Sequence, residues 1–133
     1  MEIVLASAQL DLRVALEILL REEPGTTVVG TASGAASLRA LLQVSRPALV
    51  LLDWDLPGHP PASLVAEAKS LDPHVQVIVL GKDPDVKHAV LASGADAFFV
   101  KGDSPRPLLT AIRQARARRA AVERQIPTET KGA

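Results

Sequence analysis

Two carboxylates stand at the end of an apolar run. In PALVLLDWDLPGHP, residues 47–60, the segment ALVLL runs into Asp53, and Asp55 follows two positions on, ahead of a Pro57-Gly58 turn. An acid in that place has two readings. It caps the following loop, or it sits where a buried strand ends and serves a site at the sheet edge. A lysine in a comparable place, Lys101 after AFFV, favours the second, because it offers an ammonium to the same edge. Trp54 lies between the acids, and its ring either covers the rim of such a site or packs in the loop.

Other chemistries find less support. Cysteine is absent, which removes disulfides, thiolate nucleophiles and cysteine-bound metals and fits a reducing cytosol. His59, His74 and His88 have neither i,i+4 spacing nor acids clustered beside them, so they read as solvated side chains. The glycines form no GxGxxG and no phosphate-binding loop, and no Ser–His–Asp set is apparent. The chain is therefore expected not to be an enzyme. Phe98, Phe99 and Trp54 are the only aromatics, too few for a base-stacking platform.

The positioning elements follow from pattern. The chain has 133 residues, 47% hydrophobic and 23% charged, with fifteen basic side chains against fifteen acidic. That suits one domain with an ordinary core and no charge-driven partner. No apolar run approaches the ~20 residues that span a bilayer, and MEIVLASAQLD carries no export leader, so a cytoplasmic location without membrane contact is expected. Strand-like runs occur at residues 3–6 (IVLA), 27–32 (TVVGTA), 48–52 (ALVLL), 75–81 (VQVIVLG) and 96–100 (DAFFV). Helical periodicity fills residues 10–23, with Glu17 and Arg21 four apart. It returns after Ser33, a candidate cap, over residues 62–71, from Pro84 to about Ala92, and from the candidate cap Ser104 onward. Pro24-Gly25 and Gly94 read as helix stops. Alternating strands and helices give an α/β fold with a five-stranded parallel sheet flanked by five helices. Strands without polar alternation are expected to be buried on both faces. Right-handed crossovers then bring every strand's carboxyl end to one edge, where ligand sites form. Asp53 is placed just past the third strand, and Lys101 just past the fifth.

RPALVLLDWDLPG and SGADAFFVKGDSPRPLLTAIRQA together resemble the receiver domain of bacterial response regulators, a CheY-like, flavodoxin-like family. The second segment is similar to receivers that precede a LuxR-type helix-turn-helix. The resemblance covers about residues 1–122, leaving 123–133 as a polar tail or linker remnant. It implies strand order 2-1-3-4-5 and a carboxylate, here Asp53, that accepts a phosphoryl group from a histidine kinase. Such a carboxylate is a usable nucleophile for an acyl phosphate. Lys101 matches the lysine that pairs with the phosphoryl oxygens, and Phe98 matches the switch aromatic.

The chain departs from the family at two places. The adjacent acids after the first strand, which help to hold magnesium, are replaced by Ser7 and Ala8, or by Ala6 and Ser7 at an offset of one, and neither alignment yields an acid. The Ser or Thr after the fourth strand is replaced by Gly81, followed by Lys82. Asp53 and the backbone at Asp55 are then a weak magnesium site or none. Lys82 either lends charge across the site or is solvated, and Asp11 lies about a turn too far along to help. The chain reads as an atypical receiver that acts through protein–protein contacts, with Mg²⁺-dependent phosphorylation weak or absent. Cofactors are none, or weakly bound Mg²⁺. The rivals are a working phosphoacceptor at Asp53 and a flavodoxin-like module for another small anion.

The last helix carries Leu108, Ile112, Ala115 and Val122 on one stripe, with Arg106, Arg113, Arg116 and Arg124 roughly opposite. It is expected to pack to about Ala115. Its arginines are either solvated or a basic face. Expected partners are a histidine kinase or another signalling protein and a second copy of the chain, with DNA reached through a missing output domain.

Overall fold

The computed structural model describes residues 1–125. In chain order the elements are β1 (Glu2–Ala6), α1 (Leu10–Arg21), β2 (Thr27–Ala32), α2 (Ala35–Ser45), β3 (Leu49–Asp53) and α3 (Pro61–Leu71). They continue with β4 (Gln76–Gly81), a 3₁₀ turn (Pro84–Val86), α4 (Lys87–Ala92), β5 (Ala97–Val100) and α5 (Arg106–Gln125). All strand pairs are parallel, and the order is β2-β1-β3-β4-β5. This is the expected α/β, flavodoxin-like arrangement.

The period-two alternation of strand side chains divides the core into two layers. Val4, Val50, Val77 and Val79 face one side, with Leu38 and Leu42 of α2, Leu64 and Val65 of α3 and Val90 of α4. Ile3, Leu5, Leu49, Leu51, Ile78 and Leu80 face the other, with Leu16 and Leu20 of α1 and Leu108 and Ile112 of α5. The register stacks Leu5 beside Leu51 and Leu51 beside Ile78. All five residues of β3 are buried, which accounts for the unbroken apolar run.

Several boundaries differ from expectation for local reasons. Asp53 is the last residue of β3, paired with Leu80 of β4, rather than the first beyond it. α1 stops at Arg21, since the Glu23 N–H already bonds the Leu20 carbonyl and the Glu23 side chain turns towards α5. Ser33 does not cap α2. Gly34 occupies the cap position with no side-chain bond, and the first helical N–H, that of Ala35, donates to the Pro57 carbonyl at 2.9 Å. The segment from Pro84 to Ala92 is a 3₁₀ turn running into a short helix, capped by Asp83, whose Oδ1 accepts from Asp85 N–H at 2.8 Å. Glu17 and Arg21 form no ion pair among the described residues. Gly94 does end α4, at φ +104°, where a side chain would be strained. Ser104 Oγ accepts from the Arg106 N–H at 3.4 Å.

α5 buries Leu108, Ile112 and Ala115 and runs to Gln125. The PTETKGA tail lies outside the described residues. The arginines of α5 do not form one free basic face. Arg113 holds Glu23 through two bonds of 2.9 and 3.0 Å, and Arg116 reaches the Pro24 carbonyl. Arg118 donates to Gln76, and Arg119 lies against Asp72 and Glu123.

Candidate functional site

The carboxyl ends of β1, β3 and β5 bring Ser7, Asp53 and Lys101 together. Asp53 is 2% exposed, and an ionised carboxylate taken so far from water needs each oxygen satisfied. Lys101 Nζ lies 2.6 Å from Asp53 Oδ1, and the Asp55 N–H donates to the same oxygen at 2.8 Å. Ser7 Oγ donates to Asp53 Oδ2 at 2.6 Å. These are short, charge-assisted contacts.

The backbone holds the frame. Ser7 N–H donates to the Ala32 carbonyl of β2, Trp54 N–H to Leu80 of β4, and Lys101 N–H to Gly81, at 2.9, 2.8 and 2.9 Å. Lys101 thus leaves the sheet beside Gly81 and sends its stem across the top of β4 to Asp53 on β3. Its ammonium also donates to Gln9 Oε1 at 2.8 Å and, at 3.4 Å, to Asp55 Oδ2.

Ser7, at a position where the resemblance implies an acid, is a hydrogen-bond donor to Asp53. Ala8 is exposed and offers no polar side chain. At Gly81, where the resemblance implies a hydroxyl, a Cβ would sit 2.9 Å from Phe98 Cε1, 3.3 Å from Phe98 Cζ and 3.6 Å from Trp54 Cβ. The Phe98 ring occupies the space that a side chain at position 81 would need. Trp54 and Phe98 both pack partly buried against the α2–α3–α4 core layer, so Trp54 is anchored by packing.

Lys82 is exposed and takes no part in the hydrogen bonds around Asp53. Asp11 accepts from the Leu12 N–H and does not enter the site. The three histidines are exposed, and among the described residues no three His, Cys, Asp or Glu side chains gather as a metal would require. Sequence reasoning missed Gln9 altogether, and it saw Ser7 as a loss rather than as a donor. The available signal was that a carboxylate at a buried strand end needs hydrogen-bond donors for both oxygens, and a serine at the end of β1 offers one.

Magnesium, which the resemblance implies, takes six oxygens in near-octahedral array, usually one or two carboxylates with waters. Here Asp53 Oδ1, Gln9 Oε1 and Asp55 Oδ2 converge on an ammonium, and Asp53 Oδ2 faces a hydroxyl proton. The residues present do not fit the ion.

Residues 3–113 match the family model described as "Response regulator receiver domain". The nitrate/nitrite response regulator protein NarL of Escherichia coli K12 is 32% identical over 108 residues, 80% of this chain and 50% of that protein. The transcriptional regulatory protein CitT of Bacillus subtilis is 28% identical, covering 73% of this chain and 45% of its own length. The chain thus spans about half the length of the curated relatives it matches. In overall shape it is similar to a LuxR-family two-component response regulator from Aurantimonas, with a TM-score of 0.79 at 23% identity over 87% of this chain and 84% of that one. It is also similar to a CheY-like receiver domain from Methanospirillum hungatei, with a TM-score of 0.79 at 24% identity over 90% and 96%.

Proposed function

This chain belongs to the response regulator receiver domain family, the signalling module of two-component systems, and we propose that its Mg²⁺-dependent phosphorylation is weak or absent and that its output runs through protein–protein contacts. One observation carries this reading: both oxygens of Asp53 are already engaged, by Lys101 and by Ser7, at 2.6 Å each. Phosphoryl transfer is mainly positioning and neutralisation of charge on the transferred oxygens. Lys101 is one positive charge shared between Asp53 and Asp55, and it is committed before any phosphodonor arrives. To attack phosphorus, Asp53 must give up a hydrogen bond and turn an oxygen outward, with no acid pair to bring a cation to the incoming group.

The test is intact-mass measurement after incubation with acetyl phosphate and magnesium. The expected result is no phosphoryl adduct. A clean adduct that disappears in Asp53→Asn overturns the reading in favour of a working phosphoacceptor, the alternative that the matching residue types at positions 53 and 101 keep open. In that alternative a histidine kinase is the natural donor.

The relatives' names, a nitrate/nitrite response regulator and a transcriptional regulatory protein, support a place in transcription regulation. In this reading DNA is contacted by an output domain outside residues 1–133. The engagement of Arg113 and Arg116 with Glu23 and Pro24 supports the same assignment, since it removes two cations from α5 as a DNA-binding face. A second copy of the chain and a signalling protein are the partners proposed for the receiver itself. Among the described residues no helix is long and apolar enough to cross a membrane.

A further inference from the structure

The loop between β1 and α1 grips both members of the central ion pair. Ser7 Oγ donates to Asp53 Oδ2 at 2.6 Å, and Gln9 Oε1 accepts from Lys101 Nζ at 2.8 Å. The two grips are tied together, because the Gln9 N–H donates to Ser7 Oγ at 3.0 Å. Arg13, in the first turn of α1, fixes the same loop by donating to the Ser7 carbonyl at 2.8 Å. Ser7 is buried, 2% exposed, so its hydroxyl serves the interior of the site.

The donor and acceptor count closes. An ammonium has three N–H donors and no acceptor. Three oxygens lie within its reach: Asp53 Oδ1, Gln9 Oε1 and, more weakly, Asp55 Oδ2. A serine hydroxyl has a single donor, which Ser7 directs to Asp53, and lone pairs, one of which receives the Gln9 N–H. Oxygens of the kind that would surround a divalent cation surround a fixed lysine charge.

We infer that the Ser7–Gln9 loop is a clamp that substitutes for a metal: Ser7 holds Asp53, Gln9 holds Lys101, and the ammonium takes the cation's place, so the site is complete without a divalent ion. Gln9 is then a positioning residue for Lys101, and Ser7 is one for Asp53. The inference takes its meaning from the proposed function. Its tests contain no phosphodonor, so its failure is read separately from a failure of that reading.

The first test is lysine acetylation of the full chain by an N-hydroxysuccinimide ester, read residue by residue by peptide mass spectrometry. Lys101 is expected to react at least about tenfold more slowly than the exposed Lys82 and Lys87, and Gln9→Ala to speed Lys101 alone by about tenfold, the loss of one charge-assisted hydrogen bond. Equal labelling of Lys101 and Lys82 in the parent, or no change at Lys101 in Gln9→Ala, overturns the clamp. The second test is magnesium titration followed by Trp54 fluorescence and thermal melting. The parent is expected to show no saturable response up to about ten millimolar, while the Ser7→Asp/Ala8→Asp double variant gains one with a melting temperature raised by several degrees. A saturable response of the parent as large as that of the variant overturns the inference, as does a folded double variant that ignores magnesium. If the double variant does not fold, the Gln9→Ala labelling decides.

Discussion

At the scale of single residues, the informative positions are those where a small side chain stands at a place the family resemblance gives to a functional one. Gly81, at the position the family resemblance gives to a hydroxyl, makes a seat for Phe98, whose Cε1 lies 2.9 Å from where a Cβ would be. A side chain at 81 and the present Phe98 ring position exclude each other. Gly81→Ala is therefore expected to destabilise the fold by about 1–3 kcal/mol through overpacking and to alter Trp54 fluorescence, since Trp54 borders the same seat. Phe98→Ala should relieve much of the cost of Gly81→Ala. A double-mutant cycle by urea unfolding checks this, and strict additivity of the two substitutions would contradict the contact. Asp53 and Lys101 were legible from the sequence because each follows a strand signal and each keeps a charge where parallel strands end. The seat for Phe98 was not legible, because contact between positions 81 and 98 depends on the β4–β5 register, which pairs Gly81 with Val100 and Val79 with Phe98.

At the scale of elements, the chain shows which local signals tertiary contacts override. Ser33 carries the residue type of a helix cap, yet α2 begins after Gly34 and receives its first partner from Pro57 in the neighbouring loop. Asp83, unremarked in the sequence, caps the turn that leads into α4. Ser33→Ala is accordingly expected to change stability by less than about 0.5 kcal/mol, and Asp83→Ala to cost about 1 kcal/mol. Paired urea denaturation curves measure both, and a larger loss at Ser33 than at Asp83 would reverse the assignment. The strands were legible to within one residue at every end, because burial on both faces leaves few polar interruptions. The helix ends were less so, since capping is settled by whichever acceptor or donor the rest of the chain delivers.

At the scale of the whole molecule, the end of α1 is fastened to α5 across ninety residues of sequence. Glu23 is buried, and Arg113 grips it with two hydrogen bonds. The Arg113 bond is the chief cause that lowers the Glu23 carboxyl below its ordinary value of 4.5, with the charges of Arg113 and Arg116 adding to it and burial opposing. A carboxyl lowered in the folded state contributes stability that is fully present above its unfolded value and is lost as pH falls through the folded one. Glu23→Gln should lower the melting temperature by a few degrees at neutral pH, and the gap from the parent should close on acidification below about pH 4.5. Thermal melts across that range test it; a gap that widens in acid would show that the pair does not act in this way. The same fastening draws Arg113 and Arg116 out of the basic face that helical spacing alone suggested.

The sequence by itself determined the α/β layout and the placement of Asp53 and Lys101 at one edge, which follow from residue type and from periodicities that repeat along the chain. That Ser7, Ala8 and Gly81 stand where an acid pair and a hydroxyl are expected is legible only through the resemblance to the receiver family. The tertiary structure alone decided what fills the gaps: Ser7 against Asp53, Gln9 against Lys101, Phe98 over Gly81, Glu23 under Arg113. Each of these joins residues remote in sequence or aimed by a loop, and a hydrogen bond or a ring contact depends on tenths of an ångström that no spacing rule encodes.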